Sequence, residues 1–494
     1  NATLTGNAGD NIITGNTGND TLNGGDGADQ LYGGDGNDTL NGGLGADQLY
    51  GGNGDDVLVG GAGADQFAGG DGTDTASYVD STVAMTFNLA TGVFSGIGAG
   101  DTFDGIEVIA GTNYGDTFIA SSNTDHVNGG NGVDMITYAD ATSAIGINLV
   151  TGGHTGLASE DVFTNVEVIH GTAYDDTFVG DNAANIFIGG AGADSFDGGA
   201  GIDSLWYLTS ASGVTINLAT GTLSGGDATG DIYTNIERFI GSNHDDNLIA
   251  GATGTRLEGG GGDDTITGGA GADIIFGGLG TDVGAVGPMP GGNQADTIDG
   301  GDGNDEIYSA GNNQGQTFNY GNGIDLGTVI KGGGGADRIV ISSGTAYGDS
   351  GNDTITVFGN GSAHGGAGAD TLNGEYIGFE LYGDDGEDTL NLKLGGGFAD
   401  GGNNGDIYYV DTVLQSTIKD TGSSGNDYVY LQRIATVSDL LYSRQGDDLI
   451  IYSDDDAAQY PNAVVRLENW YDGFNTIEFF ATADGTHFSG SVFA

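Results

Sequence analysis

The sequence predicts an all-β fold, a right-handed parallel β-roll or β-helix solenoid closed at its C-terminal end by a small β cap. Three observations predict it. A nine-residue unit repeats without a break from Gly15 onward; each unit carries an aspartate and an apolar residue two places later; and glycine supplies 102 of 494 residues against 3 prolines. Glycine in that excess without proline serves tight turns and not a collagen-like or proline-rich chain.

The repeat runs GNTGNDTLN, GGDGADQLY, GGDGNDTLN, GGLGADQLY, GGNGDDVLV, GGAGADQFA, GGDGTDTAS. Asp20, Asp29, Asp38, Asp47, Asp56, Asp65 and Asp74 share the sixth place, and Leu22, Leu31, Leu40, Leu49, Leu58 and Phe67 the eighth. Glycines at the first, second and fourth places, as in Gly24, Gly25, Gly27, then Gly33, Gly34, Gly36, then Gly42, Gly43, Gly45, then Gly51, Gly52, Gly54, permit the positive φ of a tight turn. The last three residues are extended and alternate out, in, out. Six residues turn and three make a strand, so two units form one coil of 18 residues, and coils stack about 4.8 Å apart as parallel strands. The eighth-place residues face one another in a narrow core.

That stacking sets Asp20 over Asp38 on one edge and Asp29 over Asp47 on the other. A cation between stacked turns meets two carboxylates and main-chain carbonyls at the glycine turns. This all-oxygen shell suits Ca²⁺ better than Mg²⁺, which dehydrates reluctantly. The glycine turns do not read as a phosphate cradle, because they carry acids and lack the Lys-Ser/Thr pair of a P-loop.

Charge points the same way. Seventy acidic residues face nine basic ones, for a net charge of -61, and the first lysine or arginine is Arg238. A compact state with that self-repulsion needs counterions or bound metal. Acidic disorder fits poorly with a 37% hydrophobic content, 21 tyrosines and 20 phenylalanines. The absence of cysteine excludes disulfides and thiolate metal sites. No apolar run approaches the roughly 20 residues of a membrane span, and the acidity argues against nucleic acid and anionic membranes as partners. The chain begins at Asn1 without a methionine or a signal-peptide pattern, which suggests a processed form or a fragment.

Residues 1–74 form the regular roll. In residues 75–264 three larger repeats follow with the frame D-x-x-x-Y…N-L-x-T-G…[IV]-E…G-[ST]-x-x-x-[DG]-[DN], in which Asn88, Asn148 and Asn217 correspond, as do Glu107, Glu167 and Glu237, and Asp116, Asp176 and Asp246. Each has an irregular stretch and then regains the nine-residue rhythm, as in Glu107, Asp116, Asp125 and Asp134. The glutamate reads as the first rung of a resumed coil. Asp194 and Asp203 continue the pattern, whereas Asn185 and Thr255 break it and put metal on those edges in doubt. In residues 265–310 the roll returns with Asp264, Asp273 and Asp282, takes an insertion at Gly287-Pro288-Met289-Pro290, and resumes with Asp296 and Asp305. In residues 311–421 the aspartates Asp337, Asp353, Asp370, Asp388 and Asp406 recur at 16 to 18 residues, which predicts a degenerate β-helix with metal mainly along one edge. From residue 422 the stretches GNDYVYL, DDLIIY, AVVRLENWYDGFNTIEFF and ADGTHF read as the strands of the cap that a solenoid's open edge requires, with Trp470 and Tyr471 packed inside it.

The G-G-x-G-x-D-x-L-x units resemble those of RTX proteins, whose nonapeptides are a known calcium-binding parallel β-helix signature. The resemblance covers most of residues 6–430. The stretch Asp447-Asp448-Leu449-Ile450-Ile451, Val465-Arg466-Leu467-Glu468-Asn469-Trp470, Ile477-Glu478 and Asp484-Gly485-Thr486 is similar to the domain that follows RTX repeats in many members. Ser491-Val492-Phe493-Ala494 is similar to the hydrophobic end of an uncleaved type I secretion signal. The resemblance implies several bound calcium ions, export of an unfolded chain from a Gram-negative bacterium, and folding in external calcium at sites of about 10⁻⁴–10⁻³ M.

Catalytic motifs are missing. There is no H-E-x-x-H and no G-x-S-x-G; the six histidines His126, His154, His170, His244, His364 and His487 are scattered; and Gly348-Asp349-Ser350-Gly351 falls in a repeat turn. A glycosidase or lyase site would be sought in residues 310–400, with Tyr320, Lys331, Arg338, Tyr347, His364 and Tyr376. The expectation is a non-enzymatic, secreted calcium-binding structural or interaction protein of the cell exterior, of the surface-layer or matrix type, partnered by itself or by cell-surface polysaccharide. The alternative is the calcium-binding part of a larger secreted enzyme or adhesin acting on polysaccharide.

Overall fold

In a computed structural model the chain is an all-β parallel β-solenoid. The structure describes residues 1–262, 264–269, 271, 273–277, 297–299, 306–308, 329–341, 344–412, 415–422, 425–453, 464–472 and 477–493. It divides into two compact units, one of Asn1–Thr209 with Asp227–Glu237 and one of Ser210–Gly226 with Arg238–Ala494.

In the first unit, strands stack in parallel at the predicted coil length. Thr21–Asp26 lies against Thr39–Leu44 and then Val57–Ala62, so that Leu22, Leu40 and Leu58 align. On the other side Gln30–Asp35, Gln48–Asn53 and Gln66–Asp71 align Leu31, Leu49 and Phe67. These six residues and Ala76 form one core cluster, each at most 2% exposed. Each large apolar side chain there contributes about 1.5–3 kcal/mol of burial free energy.

The strands of the regular roll are six residues long and not the predicted three, because the ladder runs on through the two glycines. Gly25 pairs with Gly43 and Gly43 with Gly61. A parallel ladder closes at these positions because the second-place glycines take positive φ, 106° at Gly25 and 107° at Gly43, and present no Cβ to the coil beneath.

Each larger repeat exchanges one sheet for another. In the first, Thr86–Asn88 folds back antiparallel on Val93–Phe94 and founds a new sheet by pairing in parallel with Thr117–Ile119. The chain then returns, and Thr102–Asp104 lays the last strand on Gln66–Asp71. In the second, Gly146–Asn148 founds a sheet with Thr177–Val179 while Val162–Thr164 closes on His126–Asn128. Phe87 stacks on Phe118 with ring centroids 4.8 Å apart, which fills the start of the first new core.

In the second unit, Thr215–Asn217 pairs antiparallel with Thr222–Ser224 and in parallel with Asn247–Ile249. Further on, one sheet aligns Ile330, Ala346, Ala363, Leu381, Ala399 and Ile418, and the facing sheet aligns Ile339, Ile355, Leu372, Leu390, Tyr408 and Val429. All are fully buried. Parallel coiling continues past residue 422, since Asp427–Leu431 stacks on Ile407–Thr412 and then takes Ile477–Thr482. Antiparallel strands finish the edge: Leu440–Gln445 with Asp448–Ser453, Asp448–Ser453 with Val464–Leu467, and Ile477–Thr482 with His487–Ser489. Trp470 packs edge-on against Phe480 and Phe493, and Phe493 is 2% exposed. Phe493 is therefore part of the cap core, whereas Val492 is exposed.

Candidate metal site: stacked aspartate ladders

Stacking turns the sixth-place aspartates into ladders. Asp38 Oδ1 accepts the backbone amide of Asp20 at 2.7 Å, Asp56 that of Asp38 at 2.7 Å, and Asp74 that of Asp56 at 2.8 Å. On the other edge Asp29 accepts from Asn11, Asp47 from Asp29 and Asp65 from Asp47. The same bond joins Asp116 to Asp134, Asp176 to Asp194, Asn185 to Asp203 and, in the second unit, Asp246 to Asp264. The longest described run there is Asp337, Asp353, Asp370, Asp388 and Asp406, on one edge as the spacing predicts, and it continues to Asp427 and ends on Glu478.

In most rungs one oxygen is thus satisfied and the other is not. The Oδ2 atoms of Asp20, Asp29, Asp38, Asp47, Asp56, Asp65, Asp74, Asp134, Asp194, Asp203, Asp353, Asp370, Asp388 and Asp406 are buried without a hydrogen-bond donor. Leaving a charged oxygen so costs several kcal/mol unless a cation reaches it. Burial pushes the carboxyls of Asp56 and Asp134 up to about 6, those of Asp65 and Asp353 to about 7 and that of Asp194 to about 8; the bond from the preceding amide opposes this and neighbouring carboxylates add to it.

The first-place glycines complete a cradle. A Cβ on Gly15 would lie 2.5 Å from Asp20 Oδ2 and 2.6 Å from the carbonyl oxygen of Gly33, and one on Gly365 would lie 2.5 Å from Asp370 Oδ2 and 2.6 Å from the Gly383 carbonyl. Gly24, Gly33, Gly42 and Gly51 repeat the arrangement with Asp29, Asp38, Asp47 and Asp56. Their φ is not positive, so the predicted reason for these glycines is replaced: the carboxylate and carbonyl oxygens occupy the space a side chain would need. Positive φ belongs to the second and fourth places, Gly25, Gly27, Gly34, Gly36, Gly43, Gly45, Gly52 and Gly54. Among the described residues no three acidic or histidine side chains converge on one point, so any cation here takes part of its shell from the main chain. Carboxylate plus carbonyl oxygen, and no sulfur or nitrogen, is the donor set of Ca²⁺.

The family model for the RTX calcium-binding nonapeptide repeat matches residues 5–40, 41–76, 101–136, 170–205, 249–283, 291–313 and 356–375. The chain is an RTX-type calcium-binding repeat protein. No curated protein matches it. Among solved structures it is similar to a hyperactive, Ca²⁺-dependent, β-helical antifreeze protein from an Antarctic bacterium, with 12% identity, a TM-score of 0.23, and 99% of this chain and 94% of that one covered. The ladder residues would hold calcium, which would supply the positive charge that the side chains of this RTX chain lack.

Several predicted ligands of this RTX chain are satisfied without an ion. Asp116 Oδ2 accepts the amide of Thr112 and Oδ1 its hydroxyl; Thr172 serves Asp176, Ser121 serves Asp125 and Ser242 serves Asp246 in the same way. Asp273 accepts the amides of Thr255 and Gly269. The Ser or Thr, preceded by glycine in all but Ala120-Ser121, stands where the regular repeat has its second glycine and turns its hydroxyl onto the carboxylate. Asn185 keeps the rung geometry as a neutral group that accepts the amide of Asp181. Asp282, Asp296, Asp305 and the Gly287–Pro290 insertion lie outside the described residues, as does Tyr320.

The glutamates end the ladders and do not begin them. Glu107 Oε2 accepts the amide of Asp74 at 2.9 Å, Glu167 that of Asp134 and Glu237 that of Asp203, while the amide of each glutamate returns to the carbonyl of the same aspartate. The longer side chain reaches across the wider coil that follows each excursion.

Sequence reasoning missed Asp101, Asp161 and Asp231, the last rungs of the other edges. They accept the amides of Asp65, Asp125 and Asp194, and each also accepts a buried tyrosine hydroxyl, from Tyr78, Tyr138 and Tyr207, at 2.7–2.8 Å. The signal was present: all three stand six residues before the glutamate of their repeat. Of the residues considered for catalysis, Tyr347 and His364 stack with Tyr382 as a column, at centroid distances of 4.9 and 4.6 Å.

Proposed function

We propose that this chain is a secreted structural or interaction protein of the bacterial cell exterior, without a catalytic centre of its own, that folds on binding several calcium ions. The observation that carries the reading is the set of buried, donorless Oδ2 atoms in a chain of net charge -61. In a low-calcium compartment the two edges repel; in external calcium, folding and metal binding become one equilibrium. The repetitive coils offer long, stiff surfaces for association with further copies of the chain. Cell-surface polysaccharide is the second class of partner, and with it stands the alternative of a calcium-binding module within a larger secreted enzyme or adhesin. Among the described residues no helix is long and apolar enough to cross a membrane.

The test is light scattering on chelator-treated protein while calcium is raised into the range of weak extracellular sites. Growth into large ordered particles supports a self-assembling exterior protein. Compaction to a lasting monomer contradicts assembly and favours the module.

A further inference from the structure

The outer face of one sheet in the second unit carries a column of rings that ends at a groove. Strands Gly344–Ser350, Gly361–Ala367, Glu380–Asp385 and Phe398–Asp400 pair in parallel, and Tyr347, His364 and Tyr382 fall in register on successive coils. Their rings stack at centroid distances of 4.9 and 4.6 Å. Phe398 follows 5.5 Å from Tyr382 but is tilted by 47°, and the residue in register with it on the next coil is Thr417. The column of rings therefore stops at Phe398.

There a groove of about 350 Å³ opens, with Phe398 in its wall. Its floor is main chain, because packing beneath it forbids side chains. A Cβ at Gly397 would strike the ring of the buried Phe379, and one at Gly395 would strike the Tyr376 carbonyl. Gly378, at φ 87°, donates its amide to the Gly396 carbonyl at 2.9 Å. Around this floor stand Glu380, Gln415, Thr417 and Glu468. Glu380 and Gln415 are exposed, and Phe398, Thr417 and Glu468 are half-buried.

The composition of the groove selects its ligand. None of its lining residues is basic, and Arg466, in register with Thr417, is bonded instead to Asp448. Two carboxylates without a cation repel phosphate, sulfate and uronic acids. One half-buried ring over an open floor is too little apolar surface for a lipid or an apolar peptide. A ring bordered by carboxylates, an amide and a hydroxyl suits a pyranose, whose C–H face packs on the ring while its hydroxyls donate to the carboxylates and exchange bonds with the amide.

We propose that this groove binds a neutral glycan strand. The site rests on the reading of polysaccharide as a partner and gives that partner a place and a chemical class. Phe398 is its platform, and Glu380, Gln415, Thr417 and Glu468 are its hydrogen-bonding rim.

The experiment is isothermal titration of the full chain in saturating calcium. Cellohexaose, laminarihexaose, mannohexaose and chitin hexasaccharide are the neutral probes, and a hyaluronan hexasaccharide is the acidic one. Saturable binding of at least one neutral probe, and not of the acidic one, is expected. Phe398→Ala should weaken it about tenfold and Gln415→Ala about threefold. Tyr347→Ala, about 14 Å away along the column, should leave it unchanged, and all variants should keep the wild-type circular dichroism. No binding of any neutral probe, or tighter binding of the acidic one, overturns the site; self-assembly in calcium would still stand. Binding that Phe398→Ala leaves intact, or that Tyr347→Ala weakens equally, overturns this groove while polysaccharide remains a partner. If Phe398→Ala does not fold, Phe398→Leu takes its place, and if both fail the exposed Gln415 variant decides. Cleavage of a probe by the wild type, lost in the Phe398 variant, supports the site and refutes the non-catalytic reading.

Discussion

Asp38 reaches across one coil to accept the amide of Asp20 at 2.7 Å through Oδ1, and its Oδ2 is left buried with no donor. The rungs of the regular repeats, among them Asp29, Asp47, Asp56, Asp65 and Asp74, repeat this division of labour. One carboxylate oxygen stitches the coils together and the other waits for a cation.

Acidity therefore acts in opposite senses with and without calcium. The folded-state carboxyls of Asp56, Asp65, Asp194, Asp388 and Asp406 are raised from 3.8 to between about 6 and about 8. A raised carboxyl favours the folded state when protonated, so its stabilisation is complete below 3.8 and is lost as pH rises through 6 to 8. In chelator with enough osmolyte to fold the chain, thermal melts followed by circular dichroism should show it more stable near the acid end of that window than at its alkaline end. Calcium affinity should move the other way and fall as pH drops through the window. A chelated protein equally stable across it would contradict the assignment.

The two glycines that open each repeat should fail differently. Gly43→Ala forces a Cβ at φ 107° into the carbonyl of Gly25, and should destabilise by about 2–4 kcal/mol with or without calcium. Gly42→Ala places its Cβ against Asp47 Oδ2 in the cradle, and should weaken calcium binding on that edge more than it harms the backbone. Denaturation in chelator with enough osmolyte to fold the chain, and isothermal titration of calcium, separate the two.

At the ladder ends, Tyr78→Phe, Tyr138→Phe and Tyr207→Phe each remove a hydroxyl from a buried carboxylate. Each should cost about 1–3 kcal/mol. The cost should be the same in calcium and in a calcium-free buffer containing enough osmolyte to fold the chain, because Asp101, Asp161 and Asp231 draw on the hydroxyl and not on a metal. A loss seen only in calcium would place an ion at these rungs.

Much of this was legible in the sequence because its two periods are rigid. Leu22, Leu31 and Leu40 repeat at the spacing that builds the core, and Asp20, Asp29 and Asp38 at the spacing that builds the edges, so coil length, facing sheets and ladders followed from counting. What did not follow were features that depend on contacts between repeats. Glu107 sits in the nine-residue rhythm, and only the pairing of its coil with that of Asp74 reveals that it ends a ladder. Asp116 matches the pattern of Asp134, yet the hydroxyl of Thr112 fills its environment. Asp101 lies 27 residues beyond Asp74, in phase with the rhythm but inside a stretch whose hairpin hides the phase.

The central claim is that calcium on these ladders drives folding. Its most direct test is far-UV circular dichroism of the chelated chain at neutral pH while calcium is titrated to a few millimolar, in the range of extracellular sites. The ladders predict a largely unfolded spectrum in chelator and a steep, cooperative gain of β-structure as calcium is added. Identical spectra with and without calcium would contradict it.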